Sequence, residues 1–110
     1  MTEPTFLMLT ALAGGPKHGY AVIEDVARMT EGRVRLRAGT LYAALDRLRT
    51  EGLIEVDREE VVQSRLRRYY RLTGAGEQSL AAESARLRAQ AAMAEGRLRA
   101  RRTEFGGATA

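Results

Sequence analysis

The stretch from Arg37 to Arg58 constrains the fold more than any other part of the chain. Leu41, Leu45 and Leu48 recur at the spacing of one apolar stripe on a helix. Gly52 follows the stripe, and a glycine at this place commonly ends a helix in a left-handed conformation. The residues after it, beginning with Leu53 and Ile54, are apolar and β-prone. The segment therefore predicts a helix, a glycine stop and a strand.

The side of this helix opposite the leucines is small, polar and partly basic. At 3.6 residues per turn it presents Gly39, Thr40, Ala43, Asp46, Arg47 and Thr50, with Tyr42 and Arg49 on one flank. A helix that lies in a DNA groove needs such a face, because bulky groups would hold it away from the base edges that it must contact. We interpret this segment as a recognition helix that runs into the first strand of a wing. An ordinary solvated helix face is the alternative.

Two helices are expected before this one. The first spans about Thr5 to Leu12, where nearly every side chain is apolar, so we expect it to be buried on more than one face. The second opens at Lys17 and continues to about Met29, and its start offers backbone N–H groups that favour an anion. Val34 to Arg37 is expected to be an extended connection.

A β-hairpin is expected after the glycine stop. The first strand runs from Leu53 to about Arg58, residues 59–64 form a loop or hairpin tip, and Arg65 to Leu72 return as the second strand. The returning strand carries a dense basic run, Arg65, Arg67, Arg68 and Arg71, which is suited to the DNA backbone. Alternation places Arg68 toward the core with Tyr70 and Leu72, so Arg68 is the poorest DNA candidate of the run.

One long helix is expected at the end of the chain. Thr73 is placed to cap it, and the helical pattern continues from Gly76 to about Arg102. A heptad seam runs along it through Leu80, Ser84, Leu87, Ala91, Ala94 and Leu98. We therefore divide the chain into a DNA-binding domain (residues 1–73), a dimerisation helix (74–102) and a flexible tail (103–110).

Composition narrows the function classes. The chain has 18 basic and 14 acidic residues, a net charge of +4, which favours anionic partners. It has no cysteine, which excludes disulfides and thiolate metal sites, and a single histidine makes a metal site improbable. No paired nucleophile and base and no glycine-rich phosphate loop is found, so we expect neither an enzyme nor a cofactor. The apolar run Phe6 to Ala13 is too short to span a bilayer, and an acidic Glu3 argues against export, so a cytoplasmic protein is expected.

Four stretches of the sequence together resemble the PadR family of bacterial transcriptional regulators. They are Gly15 to Ile23 (GPKHGYAVI), Gly39 to Leu48 (GTLYAALDRL), Glu51 to Ile54 (EGLI) and Arg67 to Gly76 (RRYYRLTGAG). The resemblance covers the chain from about Phe6 to Gly76. It implies a mainly α fold with a small β-hairpin, that is, a winged helix-turn-helix plus a long C-terminal dimerisation helix. It also implies a homodimer with the helix at Gly39–Glu51 in the major groove.

Two sets of contact residues follow from the pattern and the resemblance together. The predicted DNA-binding residues are Lys17, Tyr20, Arg37, Gly39, Thr40, Tyr42, Ala43, Arg47, Thr50, Arg65 and Arg67. The predicted dimerisation residues are Phe6, Leu9, Leu80, Leu87, Ala91, Ala94 and Leu98. Sequence discrimination is expected to rest on few side chains, with Arg47 and Thr40 foremost.

The expected function is that of a sequence-specific regulator of transcription, a repressor that binds double-stranded DNA at a pseudo-palindromic operator. A winged-helix protein-interaction module and a non-specific architectural DNA binder are the alternatives. The resemblance also implies control by a small hydrophobic effector near the dimer interface, for which Phe6, Met8 and Met93 are the apolar candidates. Regulation without an effector is equally compatible with the sequence.

Overall fold

The computed structural model describes residues 1–106. Its elements, in chain order, are α1 (Glu3–Ala13), β1 (Lys17–His18), α2 (Gly19–Met29), α3 (Ala38–Thr50), β2 (Ile54–Val62), β3 (Arg65–Leu72), α4 (Gly74–Arg101) and a π-helical turn (Arg102–Gly106). The chain forms two compact units, Met1–Leu80 and a second that begins at Ala81. No helix in the described residues is both long and apolar enough to cross a bilayer. The mainly α fold with a small β component is confirmed.

The three N-terminal helices bury one another's apolar sides. The predicted stripe of α3, Leu41, Leu45 and Leu48, is fully buried. The rest of the core comes from the other helices and the sheet, namely Met8, Leu9, Ala11, Leu12, Val22, Val26, Ile54 and Tyr70. The apolar stripe therefore fixes α3 by one side and leaves its opposite side at the surface.

The sheet has three antiparallel strands in the order β1-β3-β2, one strand more than the expected hairpin. Lys17 pairs with Tyr70 and His18 with Tyr69, so the expected helical start at Lys17 is wrong. α2 begins at Gly19 instead, and the Nδ1 atom of His18 accepts a hydrogen bond from the N–H of Ala21 at 3.3 Å. This short strand joins the start of α2 to the base of the wing.

The wing is longer and more regular than the sequence suggested. β2 continues to Val62, so residues 59–62, expected in a loop, are paired with β3. The turn consists of Gln63 and Ser64, whose φ angles of 50° and 63° are those that a two-residue type I′ turn requires. A bulge between Val56 and Arg58 interrupts the register of β2.

The wing leads directly into α4 through a confirmed cap. The hydroxyl of Thr73 accepts a hydrogen bond from the N–H of Gly76 at 3.0 Å and donates one to the carbonyl of Gly52 at 2.7 Å. The N-terminal compact unit includes the first residues of α4, as far as Leu80. The predicted tail begins within the π-helical turn, and residues 107–110 lie outside the described residues.

Candidate nucleic-acid interface

The start of α3 is exposed and open to an anion. Arg37 is its N-cap residue and makes no side-chain capping bond, and the first turn holds no acidic residue. Gly39, Thr40 and Ala43 are exposed, and nothing lies within 4 Å of where a side chain on Gly39 would begin. Uncapped N–H groups and the helix dipole both favour a negative charge here. The predicted groove-facing residues at this end of α3 are thus placed together at the surface.

A cleft of about 800 Å³ lies between the start of α2, the middle of α3 and the wing. Its walls are formed by His18, Gly19, Tyr20, Tyr42, Asp46, Val62, Gln63, Arg65, Leu66, Arg67, Arg68 and Tyr70. The ring of Tyr42 lies so close to Gly19 that a Cβ there would come within 2.6 Å of the hydroxyl oxygen. Within residues 1–106 no hydrogen-bond partner is found for that hydroxyl. Tyr42 therefore lies against Gly19 while its hydroxyl remains available.

The arginines of the wing fall into two groups. The guanidinium groups of Arg68 and Arg71 are paired with Glu59 at 3.2 Å and Glu55 at 2.8 Å. Arg65 and Arg67 have no ion pair among the residues that the structure describes. Both of these arginines line the cleft beside Tyr42. The two arginines predicted to bind DNA are therefore the two whose charge is not already matched within the wing.

Arg58 belongs to the paired group and is held over an aromatic ring. Its guanidinium carbon lies 3.8 Å from the ring centre of Tyr69, and Nη1 lies 3.2 Å from Asp57. The hydroxyl of Tyr69 donates a hydrogen bond to Glu60 at 2.6 Å. Glu60 is the residue directly opposite Arg67 in the register, yet its contacts are with Tyr69 and Arg58.

His18 links the wing to α2 in its neutral form. Its ring packs edge-on against Tyr69, with the ring centres 5.3 Å apart. Burial lowers the pKa of His18 below its ordinary value of 6.5, and the nearby charge of Arg67 lowers it further, against the opposing effect of Glu24 and Glu60. A neutral ring is required for the cap, because a protonated Nδ1 cannot accept the bond from Ala21.

Lys17, predicted to contact DNA, is occupied within the fold. Its ammonium group donates hydrogen bonds to the carbonyls of Ala11 at 2.7 Å and Gly15 at 3.5 Å, and lies 4.0 Å from Asp25. These contacts satisfy carbonyls at the C-terminal end of α1. The neighbouring Tyr20 is exposed and lies on the cleft, as a contact residue must.

Arg47 and Thr50 lie away from the cleft. The guanidinium of Arg47 donates a hydrogen bond to the hydroxyl of Thr5 at 3.1 Å and lies 3.6 Å from Glu51, so it connects α3 to the start of α1. The hydroxyl of Thr50 donates to the carbonyl of Asp46 in its own helix. Asp46, by contrast, lines the cleft. The two flanks of α3 thus face different surroundings, which a helical projection cannot distinguish.

The predicted dimerisation residues differ in how far they are buried. Leu9 is completely buried in the core, and Leu80 packs partly buried against the same core. Phe6 is half-buried, whereas the remaining members of the set on α4 are exposed: Leu87, Ala91, Ala94 and Leu98. Of the effector candidates, Met8 is enclosed in the core and Met93 is exposed.

Several residues of this surface were not expected from the sequence. They are His18 as a cap, the Gln63–Ser64 turn, and the acidic partners Glu55, Asp57 and Glu59. The acidic residues could have been found by extending β2 to Val62, since a hairpin of that length places them opposite the arginines of β3.

The structure has three packed helices and a small sheet, whose hairpin stands beside the third helix. This arrangement defines a winged helix-turn-helix protein. The sequence matches the model of the transcriptional regulator PadR-like family over residues 8–82. That match covers more than half of the chain, and the chain belongs to this family of transcriptional regulators.

Individual relatives are distant in sequence and close in fold. A PadR-like transcription factor from Bacteroides fragilis is 27% identical, with a TM-score of 0.71 over 84% of this chain and 86% of that one. PadR of Bacillus subtilis, solved in complex with operator DNA, is 23% identical, with a TM-score of 0.64 over 73% of this chain and 45% of that one. An uncharacterised protein of Lysinibacillus sphaericus is 27% identical over 70 residues, and the chain spans 64% of its length, just under two thirds.

Proposed function

We propose that this chain is a sequence-specific DNA-binding repressor. The observation that carries the proposal is the exposed start of α3, which stands beside the cleft lined by Tyr42, Arg65 and Arg67. Arginines already paired with carboxylates would attract DNA only weakly. Arg65 and Arg67, by contrast, have no ion pair in the described chain. The operator complex of B. subtilis PadR supports the same use of the fold.

The start of α3 would lie in the major groove. Gly39 and Ala43 allow close approach because they carry little or no side chain, and Thr40 would offer a hydroxyl to a base edge. Arg37 and the N-terminal N–H groups of α3 would contact phosphate. Tyr42 would donate its hydroxyl to a phosphate at the edge of the groove, since the hydroxyl has no partner among the described residues.

A homodimer would duplicate this surface. The exposed apolar residues Leu87, Ala91, Ala94 and Leu98 follow the heptad spacing of α4, which supports helix-to-helix pairing between two chains. A two-fold dimer binds two half-sites, so the operator would be a pseudo-palindrome. Of the apolar residues proposed to contact a hydrophobic effector, Phe6 is half-buried and Met93 is exposed, whereas Met8 is enclosed in the core.

Selection of bound genomic fragments tests the function directly. We expect enrichment of one inverted-repeat motif, and a reporter placed behind it should be repressed by the protein. The complementary measurement is titration with random duplex at low salt. Complete absence of binding there would favour a protein-interaction module, and equal affinity for all sequences would favour an architectural binder.

Tyr42→Phe tests the phosphate contact without disturbing the fold. Loss of a hydrogen bond to a charged group costs about 1.5 kcal/mol, so affinity for operator and for random duplex should both fall about tenfold. The unfolding temperature should be unchanged, because the hydroxyl has no partner within the described chain. Unaltered affinity would remove Tyr42 from the DNA contacts.

Arg47→Ala separates base contact from structural support. If Arg47 leaves Thr5 to contact a base, operator binding falls more than binding to random duplex. If it acts through Thr5 and Glu51, the change lowers stability by about 1 kcal/mol and leaves the ratio of the two affinities unchanged. Arg49→Ala, in the same helical turn and with no side-chain partner among the described residues, is the matched control.

A further inference from the structure

The first strand of the wing carries acidic residues that pair with the arginines of the second. Arg71 contacts Glu55 at 2.8 Å and Asp57 at 3.4 Å, and Arg68 contacts Glu59 at 3.2 Å. Glu59 and Arg68 are direct cross-strand neighbours in the register. Opposite charges at such positions attract, so the register of the two strands itself places Glu59 beside Arg68.

Arg68 stands apart from Arg71 because it also lines the cleft. It shares that surface with Tyr42, Arg65 and Arg67, the residues on which the proposed DNA contact depends. The Nε atom of Arg68 donates a hydrogen bond to Glu59, and the charge of Glu59, followed by a hydrogen bond with Tyr70, raises the pKa of Arg68. Arg68 thus lies at the proposed interface, but its charge is already paired with that of Glu59.

A carboxylate in this position opposes DNA in two ways. Transfer of Arg68 to a phosphate would leave Glu59 without its partner, and Glu59 itself would repel phosphates within a Debye length. Neither effect depends on base sequence. The attraction between wing and DNA backbone is therefore smaller than the arginine content of β3 implies, while contacts made by α3 are unaffected.

We propose that Glu59 withholds Arg68 from the DNA backbone and so lowers affinity for DNA of any sequence. This inference rests on the proposed DNA-binding function. It assigns to Glu59 the task of keeping the sequence-independent part of DNA binding weak.

The test is a double-mutant cycle on the full chain. Glu59→Gln should release Arg68 as one additional phosphate contact. The slope of log affinity against log salt concentration on random duplex should then steepen by about 0.9. Affinity at low salt should rise several-fold, by the same factor on random duplex and on an operator. In an Arg68→Gln background, Glu59→Gln should leave the slope unchanged and give only the smaller gain in affinity that comes from lost repulsion.

Glu95→Gln is the matched control, because it removes one exposed carboxylate of α4 and changes the net charge equally. Thermal unfolding of each variant establishes that it is folded. If Glu59→Gln behaves like Glu95→Gln, or if the steeper slope persists without Arg68, the inference is overturned while the proposed function stands. Absence of DNA binding by the wild-type chain would overturn both.

Discussion

Gly76 is expected to be intolerant of alanine, although it lies in a helix, where alanine is usually favoured. It is the one glycine of α4 that is buried in the described chain, three residues after the Thr73 cap. A Cβ built on it would collide with the carbonyl oxygen of Leu53 and approach Leu72 Cδ1 to 2.9 Å. The same carbonyl accepts a hydrogen bond from the N–H of Thr73 at 3.1 Å, so it cannot move away without losing that bond.

The destabilisation by Gly76→Ala is the sum of free-energy contributions of opposite sign. Alanine is favoured over glycine inside a helix by about 1 kcal/mol. Overpacking costs about 1–3 kcal/mol, and a lost hydrogen bond adds about 1 kcal/mol. The obstacle is backbone rather than a flexible side chain, so we expect the upper part of that range. Gly76→Ala should therefore destabilise the chain by about 2–3 kcal/mol, a fall in unfolding temperature of about 10–20 °C.

Gly96 provides the control in the same helix. The nearest atom to a Cβ built there is Arg99 Nη2 at 3.8 Å, which is an ordinary contact. Gly96→Ala should therefore stabilise the chain by roughly 0.5–1 kcal/mol. Thermal and urea unfolding, followed by circular dichroism at equal protein concentrations, compare the two variants. Equal stabilisation by both would refute the packing described for the junction of wing and α4.

Two further predictions concern the cap of α2 and the turn of the wing. Because burial and Arg67 lower the pKa of His18 below 6.5, the unfolded chain binds this proton first, and stability should fall as the pH drops below about 6.5. His18→Asn keeps a capping side chain that does not titrate, so it should remove that part of the pH dependence; a parallel loss in both proteins would contradict the assignment. Ser64→Gly should raise stability by roughly 0.5–1 kcal/mol, because Ser64 takes a φ of 63° that glycine adopts without strain. Ser64→Ala, which keeps a Cβ at that φ, is the control, and an equal gain from it would show that strain is not the cause.

The features that the sequence predicts well are those encoded locally. The spacing of Leu41, Leu45 and Leu48 identifies the buried side of α3 without knowledge of what covers it. Gly52, with a φ of 77°, ends the helix region for a conformational reason that one residue carries by itself. Thr73 caps α4 through a neighbour three residues away.

The features that it misses depend on partners distant in sequence. Lys17 and His18 form a strand because β3 offers an edge about fifty residues later, and no local pattern marks so short a strand. Glu59 resembles a loop residue until Arg68 stands opposite it. Arg47 lies on the expected face of its helix, but its contact with Thr5 is set by where α1 begins.

The turn and the bulge together determine to which face of the hairpin each side chain of the wing points. Neighbouring side chains of a strand point to opposite faces, so adding one residue to each strand would keep the pairing but carry the closing pair, Val62 and Arg65, to the other face. Adding two to each strand would restore it, and adding one to a single strand would require another bulge. An odd change in the number of paired positions of the wing therefore reverses the face to which the closing pair points, and an even change does not. Relatives whose wings differ by an odd number of paired positions are expected to present their outermost basic side chain to a different side of the hairpin.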